Sequence, residues 1–324
     1  MWGGTASLAE IVLMDWPRLQ STRARPGQNR ARKLQSSALL PDEKMERPMD
    51  AVRHRLDPIR TEASAPTTLP TRRVDFLGCP LDLYTSDEIL QQIREAIDRR
   101  SRKCVIHFLN GNKIVQAHED PEMRAILWRG DFVLADGQPL LPMARLLEME
   151  IPERIDGIGL MEKLLHLADE HRYRIFLLGA KQAVLDACMA EIQRRFPSLI
   201  VAGCRNGYFR EEELPEIVQQ INSTHPDIVF IGIGTPIKER LADQWGSRIE
   251  APVIQGVGGS FDVMAGLVQR APGWMQRMGL EWFYRVLQEP RRMFWRYLKT
   301  NVQCLALFAK ALVAKNLGSK PSHP

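Results

Sequence analysis

Asp136 is the residue in this sequence that is best placed to act as a general base. It follows the apolar run Phe132–Ala135 and precedes Gly137, so it is expected where a strand ends in a turn. A carboxylate at the mouth of a sheet can accept a proton from a substrate hydroxyl. The structural alternative is an aspartate that hydrogen-bonds within its own turn, which is common for Asp-Gly pairs. The residue taken alone leaves both interpretations open.

Two glycine-rich turns are candidates for phosphate binding. One is GIGTP, which contains Thr235, and the other is GVGGSFD, which contains Gly258, Gly259 and Asp262. Where side chains are missing, backbone N–H groups at the start of a helix can approach phosphate oxygens. Neither turn has the spacing of a dinucleotide fingerprint or a P-loop, and simple tight turns are the alternative.

No metal or cofactor site is predicted from the spacing of potential ligands. The seven histidines show no HxxxH or HExxH pattern, and no DxD-like pair follows a strand. If a diphosphate leaving group is stabilised without a metal, arginine or lysine must supply the positive charge. The arginines near the C-terminus are the obvious source.

Continuously apolar strands alternate with helices of about ten to fifteen residues from Val74 onwards, and Ser86 is the expected N-cap of the first helix. This alternation predicts an α/β fold with a mainly parallel sheet, in which ligands bind beyond the carboxyl ends of the strands. The polar and glycine residues expected at these ends are Asn110, Asp136, Gly137, Gly179, 232–235 and 256–262.

Composition limits the classes of partner. The chain has 324 residues, a formal net charge of +5 and a pI near 9.0, which favours anionic partners: nucleic acid, phospholipid headgroups or a nucleotide diphosphate. Its five scattered cysteines are typical of a reducing cytoplasm. No apolar run reaches the roughly 18 to 20 residues of a membrane span, and no secretory signal is evident. Any membrane contact is therefore expected to be peripheral.

The two ends of the chain differ from its centre. Residues 1–70 are rich in Arg, Pro, Ser and Thr, which predicts a disordered basic extension or sequence upstream of the true start; an arm that binds lipid or nucleic acid is the alternative. After Ala271, aromatic residues alternate with arginines at near-helical spacing, and Pro290 divides the segment into two helical pieces. Such a segment either lies in the headgroup layer of a membrane or packs its aromatics on the core.

Together, these segments resemble the WecG/TagA/CpsF family, glycosyltransferase family 26. The matching stretches include FLNGNKIVQA, FVLADG, ERIDGIGL, IGIGTPIKE, GVGGSFDVMAG and RAPGWMQRMGLEWFYRVLQEPRRMFWRY, in family order over about Val74 to Thr300. The resemblance implies a Rossmann-like fold and an inverting, metal-independent transfer from a UDP-sugar to an undecaprenyl-diphosphate-linked sugar. It also implies a role in building a surface polysaccharide: exopolysaccharide, capsule, teichoic acid or common antigen.

The resemblance assigns roles to individual residues. Asp136 matches the proposed base, and Asn110 and Arg154 match residues of the same pocket. Gly137, Thr235, Lys238, Gly258, Gly259 and Asp262 fall in stretches expected to bind substrate, with Asp262 near the nucleotide. Arg285 and Arg292, with Arg296 beside them, match arginines of a C-terminal appendage that closes over the site and neutralises the departing UDP.

Two positions depart from the family pattern. Phe108 stands where a threonine is often found, and Lys238 stands where glutamine is usual in the TPxQE stretch. Lys238 adds a positive charge near the donor, suited to a diphosphate or an acidic sugar. The alternative is a helix residue that faces outwards.

The sequence thus predicts a catalytic α/β domain over 71–270 and a helical, membrane-docking appendage over 271–324. The expected partners are a UDP-sugar, a lipid-linked saccharide and the anionic inner face of the cytoplasmic membrane, without nucleic acid; self-association is known in the family. The alternatives from other classes are a nucleotide-binding oxidoreductase and a non-catalytic membrane adaptor of a polysaccharide assembly complex.

Overall fold

A computed structural model gives the fold of residues 72–317. Residues 101, 279 and 289 and the side chains of 277, 285, 291–293 and 296 are outside this described part. The prediction for residues 1–70 also lies outside it.

The centre of the protein is a six-stranded parallel sheet. Its strand order is β4-β3-β8-β7-β5-β6, and a separate two-stranded antiparallel hairpin is formed by β1 and β2. The strands are β1 Arg73–Phe76, β2 Cys79–Asp82, β3 Cys104–Leu109, β4 Phe132–Ala135, β5 Arg174–Gly179, β6 Ile200–Arg205, β7 Ile228–Gly232 and β8 Val253–Gly256. The predicted fold class, an α/β protein with a mainly parallel sheet, is confirmed.

Helices cover both faces of this sheet. They are α1 Ser86–Arg99, α2 Gly111–Glu119, α3 Pro121–Arg129, α4 Leu140–Leu146, α5 Gly157–His171, α6 Gln182–Arg195, α7 Leu214–Ser223, α8 Ile237–Trp245, α9 Ser260–Met264, α10 Gly273–Arg277, α11 Glu281–Gln288 and α12 Pro290–Asn316. Helices α1, α5 and α6 pack on one face, and α7 and α8 pack on the other beside a cluster formed by α2, α4 and the hairpin.

The inner strands β3, β5 and β7 are mainly apolar because both of their faces are buried, whereas the edge strand β6 is only partly buried. In β7, all five residues are buried: Phe230 points into the cluster with α5 and α6, while its neighbours Val229 and Ile231 point into the cluster with α7 and α8. This alternation follows from the two-residue period of a strand. It leaves the carboxyl ends of the strands as the place where polar side chains gather.

The structure corrects one local prediction and shows two local features that the sequence pattern did not give. The N-cap of α1 is Thr85 and not Ser86, because the Thr85 side chain accepts the N–H of Glu88, whose carboxylate in turn accepts the Thr85 N–H in a capping box. The segment from Gly111 to Arg129 forms two helices, since Asp120 caps the second helix and Pro121 begins it. The hairpin partner β2 was missed.

The C-terminal segment contains three helices, α10, α11 and α12, where the sequence predicted two pieces, and α12 begins at Pro290. Helix α12 packs on α2 through a buried seam that contains Thr300, Cys304 and Phe308, and Gln303 donates to the Glu119 carboxylate at 2.9 Å. Lys315 forms an ion pair with Glu148 at 3.1 Å. None of the described helices is long and apolar enough to cross a bilayer.

Candidate active site at the carboxyl ends of β3, β4, β7 and β8

The backbone of Asp136 is fixed where β3 and β4 end. Its N–H donates to the carbonyl of Leu109 at 2.9 Å, and the preceding carbonyl, of Ala135, accepts the N–H of Ile155 at 2.8 Å. Asp136 is half-buried at this edge of the sheet. Its main chain is therefore held by the sheet on one side and by the loop before α5 on the other.

Asn110 lies beside Asp136 because the two neighbouring strands end together. Its side-chain oxygen caps α2 by accepting the N–H of Lys113 at 3.1 Å, which leaves the amide nitrogen to donate to Oδ2 of Asp136 at 3.3 Å. Within the described residues, no donor lies on Oδ1 of Asp136. That oxygen is the one available to a substrate hydroxyl.

Arg154 contacts the main chain of Asp136 and not its carboxylate. Its Nε donates to the Asp136 carbonyl at 2.8 Å, and its Nη2 lies 3.2 Å from Asp156 and 3.1 Å from Glu281. The structure thus brings Asp136, Asn110 and Arg154 together, and their roles in one site stay a prediction.

The surroundings of Asp136 raise the pKa of its carboxyl group. Burial is the largest cause, and the negative charge of Asp156 adds to it, while the hydrogen bond from Asn110 and the charges of Arg154 and Lys113 act in the opposite direction. A carboxylate with a raised pKa accepts a proton more readily, which is the property that a general base requires.

Lys238 is buried, so the alternative of an outward-facing helix residue is wrong. Its ammonium group donates to the hydroxyl of Thr235 and forms an ion pair with Glu239 at 2.8 Å; Lys113 binds the same oxygen of Glu239 at 2.7 Å. Burial, together with the repulsion from Lys113, lowers the pKa of Lys238 to about 8. The two lysines hold the pKa of Glu239 far below its usual range.

The glycine-rich turn after β8 lies directly over Lys238. A Cβ atom on Gly256 would come within 3.1 Å of Cδ of Lys238, and one on Gly258 within 4.0 Å of its Nζ. Gly258 also has a φ of +56°, which favours glycine. The absence of side chains here leaves room above a buried cation.

The amides of this turn are partly used within the protein. The N–H of Gly258 donates to Ile231 at 3.2 Å and that of Ser260 to Val257 at 3.2 Å. These two amides are therefore not aimed at a ligand. Asp262 lies in α9, directly after this turn, with Oδ2 3.8 Å from a Cβ placed on Gly259.

The remaining predicted site residues divide into two groups. Gly137 borders the base, where a Cβ would lie 3.5 Å from Cβ of Asn110 and 3.0 Å from Leu140. The side chains of Arg285, Arg292 and Arg296 lie outside the described residues; these positions belong to α11 and α12.

Sequence reasoning missed four charged residues of this site: Lys113, Asp156, Arg270 and Glu281. All four stand inside the matching stretches, which was the available signal. The contacts of Arg154 with Glu281 and of Asp156 with Arg270, however, join positions more than a hundred residues apart. The described residues contain no group of three or more His, Cys, Asp or Glu that could hold a metal ion. Metal independence stays a prediction.

Comparison with known proteins agrees with this geometry. Residues 74–317 match the model of the glycosyl transferase WecG/TagA/CpsF family. The N-acetylglucosaminyldiphosphoundecaprenol N-acetyl-beta-D-mannosaminyltransferase of Bacillus subtilis (strain 168) is 35% identical over 221 residues, which cover 68% of this chain and 83% of that protein. The protein of the same name from Staphylococcus aureus (strain MW2) is 30% identical over 224 residues, covering 69% and 87%.

The family match spans the whole sheet, the Asp136 pocket and the C-terminal helices, and the fold is the one that the resemblance implied. The chain belongs to the WecG/TagA/CpsF family and is a glycosyltransferase.

Proposed function

We propose that this enzyme transfers a sugar from a UDP-sugar to an undecaprenyl-diphosphate-linked saccharide, with inversion at the anomeric carbon and without a metal ion, in the synthesis of a surface polysaccharide. The observation that carries the proposal is the half-buried Asp136 carboxylate. It has a raised pKa, is held by Asn110 and lies at the carboxyl ends of the strands in a member of this family.

Asp136 would act on the acceptor hydroxyl through its unpaired Oδ1. The hydroxyl oxygen forms a bond to the anomeric carbon, and the proton passes to the Asp136 carboxylate. The bond from that carbon to the diphosphate oxygen breaks, and its electron pair leaves with UDP. Attack from the face opposite the leaving group inverts the configuration, through a transition state with oxocarbenium character.

Lys238 and Thr235 would bind the donor on the other side of the site. The buried ammonium group lies under a turn without side chains, so a phosphate or a sugar carboxylate above Gly258 would be within the field of a poorly hydrated cation. Asp262 would accept hydrogen bonds from the ribose or base. We assign Arg285, Arg292 and Arg296 to neutralise the departing UDP, from their positions in the sequence.

The C-terminal helices would dock on an anionic membrane, as an appendage to the catalytic domain over 71–270. One side of α12 packs on the body, while its other side exposes a stripe of apolar residues. This stripe consists of Trp295 (72% exposed), Leu298, Val302 (60% exposed) and Leu305. On α10 and α11, Trp274, Trp282 and Phe283 are exposed as well. Apolar and aromatic surface next to Lys299 and Lys310 suits the headgroup layer. We therefore place the enzyme on the cytoplasmic face of the membrane.

The relatives suggest which substrates to test first. Their name describes transfer of an N-acetyl-β-D-mannosaminyl group to N-acetylglucosaminyldiphosphoundecaprenol. We propose an acceptor of this class for the present enzyme. Since Lys238 replaces the usual glutamine, we include donors that carry a carboxylate, such as the uronic acid of N-acetylmannosamine, beside N-acetylmannosamine and glucose.

The test is UDP release by the purified full-length protein from a panel of UDP-sugars, with a short-chain prenyl-diphosphate-N-acetylglucosamine acceptor in detergent. We expect release from one donor that requires the acceptor and continues in excess EDTA. Release that is independent of the acceptor, or that EDTA abolishes, would contradict the proposal. Folded protein that binds vesicles and transfers no sugar from any donor would favour the adaptor alternative.

A further inference from the structure

Four charged side chains form a closed ring beside Asp136. Nη2 of Arg154 lies 3.2 Å from Asp156 and 3.1 Å from Glu281, and Arg270 closes the ring with contacts to Asp156 at 2.8 Å and to Glu281 at 3.2 Å. Cations and carboxylates alternate around it. Each carboxylate therefore binds both arginines.

The ring connects the loop before α5 to the C-terminal segment. Arg154 and Asp156 precede α5, Arg270 follows α9, and Glu281 is the first residue of α11. Asp156 is also the N-cap of α5, where its Oδ1 accepts the N–H of Gly159 at 2.8 Å, so this carboxylate is fixed to the body of the protein. Glu281 is the member that the C-terminal segment contributes.

A single residue, Arg154, connects Glu281 to Asp136. The Arg154 guanidinium that binds Glu281 through Nη2 donates through Nε to the carbonyl of Asp136. The side chains of Arg154 and Glu281 are 12% and 32% exposed, so water and salt screen this ion pair less than a pair on the open surface. Guanidinium is planar, and two of its edges are thus held at fixed angles by Glu281 and Asp136.

A contribution to stability alone does not explain why Glu281 binds the arginine that contacts Asp136. An ion pair of intermediate exposure contributes little to stability, and the C-terminal segment has another pair with the body, Lys315 with Glu148. That second pair makes no contact with Arg154 or Asp136. It therefore serves as a matched control for an effect that passes through the ring.

We propose that Glu281 is a positioning residue for the transfer reaction: it fixes the Arg154 guanidinium, and through it the Asp136 carbonyl and the direction of the Asp136 carboxylate. This inference rests on the proposed function. It makes the first residue of α11 part of the geometry of the base, so that the C-terminal helices act on the proton transfer itself as well as on substrate binding.

The experiment compares Glu281→Gln, which keeps the side-chain shape and removes the charge, with Glu148→Gln. For Glu281→Gln we expect kcat to fall about tenfold while the KM for the donor changes less than twofold, because the base and not the donor site is affected. Glu281→Asp should recover part of the loss. Glu148→Gln should leave both constants within twofold of wild type. Thermal unfolding of each variant shows whether it folds.

A double-mutant cycle identifies the route. In an Arg154→Lys background, Glu281→Gln should have no further effect on kcat, since lysine cannot hold Glu281 and the Asp136 carbonyl as one planar group. Independent, multiplicative losses would overturn the inference. An equal loss of kcat in Glu148→Gln would also overturn it, because the effect would then be one of docking.

A readout without activity separates this inference from the proposed function. The ¹³C titration of the Asp136 carboxyl group, assigned with Asp136→Asn, should move to lower pH in Glu281→Gln, because Arg154 loses a neutralising carboxylate. An unchanged titration would overturn the inference even if the wild type transfers sugar. A wild type that transfers no sugar would refute the proposed function, while the titration would still test the ring.

Discussion

Replacing Lys238 with the glutamine usual in the family should make this protein more stable at neutral pH. Lys238 is buried, and burial is the main reason that its pKa falls from 10.5 to about 8, with repulsion from Lys113 as the second. Keeping Lys238 protonated in the folded protein therefore lowers the free energy of unfolding. Lys238→Gln removes this charge and leaves Glu239 paired with Lys113 at 2.7 Å.

The size of the effect follows from the shift in pKa. One pKa unit corresponds to about 1.4 kcal/mol, so the fall in pKa corresponds to a cost of about 3 kcal/mol at pH 7, where the lysine is protonated in both the folded and the unfolded state. Glutamine cannot reproduce both the bond to Thr235 and the ion pair to Glu239, which offsets part of the gain. We expect the free energy of unfolding to rise by about 1 to 2 kcal/mol.

The pH dependence provides the sharper test. Between pH 8 and 10.5 the unfolded chain binds a proton at Lys238 that the folded protein has released, so the wild type gains stability as the pH rises through this range. Lys238→Gln lacks this gain. Its advantage over the wild type should therefore be largest at pH 7 and shrink steadily towards pH 10.

Urea unfolding at pH 7, 8, 9 and 10 measures both quantities, with the exposed Lys299→Gln on α12 as a matched control. A Lys238→Gln protein less stable than wild type at pH 7 would refute the reasoning, and so would a stability difference that stays constant over this pH range. The same variant should bind UDP more weakly. A gain in stability with a loss of affinity would indicate that the buried cation is retained for the donor.

Three further outcomes follow from the structure. Asp136→Asn should lower kcat by at least about a hundredfold with the Kd for UDP within twofold of wild type, as measured by steady-state kinetics and calorimetry; turnover near wild type would remove Asp136 from the base role. Trp295→Glu combined with Val302→Glu should weaken sedimentation with anionic vesicles at least about tenfold, since each wild-type side chain exposes apolar surface. The control is Trp128→Glu, at an exposed position on α3, and an equal loss there would contradict a specific docking face. Glu239→Gln should lower the free energy of unfolding by about 3 to 5 kcal/mol in urea, because two buried lysines lose their shared partner; a change below about 1 kcal/mol would show that water reaches them.

The sequence was sufficient to predict those elements and residues that follow from local pattern. A strand such as β7 is buried on both faces and so is apolar at every position, which makes it recognisable from the sequence alone. Asp136 and Asn110 were found for the same reason, because each directly follows such a strand. Thr85 was missed in favour of its neighbour Ser86 because both residues can cap a helix, and only the backbone geometry distinguishes them.

Contacts between distant segments could not be predicted in this way. Nothing in the stretch ERIDG indicates that Asp156 meets Arg270, or that Arg154 meets a glutamate 127 positions later. Lys238 was interpreted with an outward-facing alternative because a lysine in the first turn of an amphipathic helix is usually solvated. In the structure Lys238 lies against Gly256 and pairs with Glu239, which Lys113 of α2 binds as well.

The charges of the described site bear on the role that we propose for the C-terminal arginines. The two ion-pair clusters near Asp136 contain four cations, Lys113, Lys238, Arg154 and Arg270, and three carboxylates, Asp156, Glu239 and Glu281; Asp136 is a fourth carboxylate. Asp156, Glu239 and Glu281 each already pair with two of these cations, so a diphosphate that enters brings negative charge without a full counter-charge in the α/β domain. The sequence places Arg285, Arg292 and Arg296 on α11 and α12, the same helices that carry Glu281 and the exposed apolar stripe. Binding of the leaving group, fixing of the base and contact with the membrane are thus assigned to one segment, and a displacement of that segment would affect all three together.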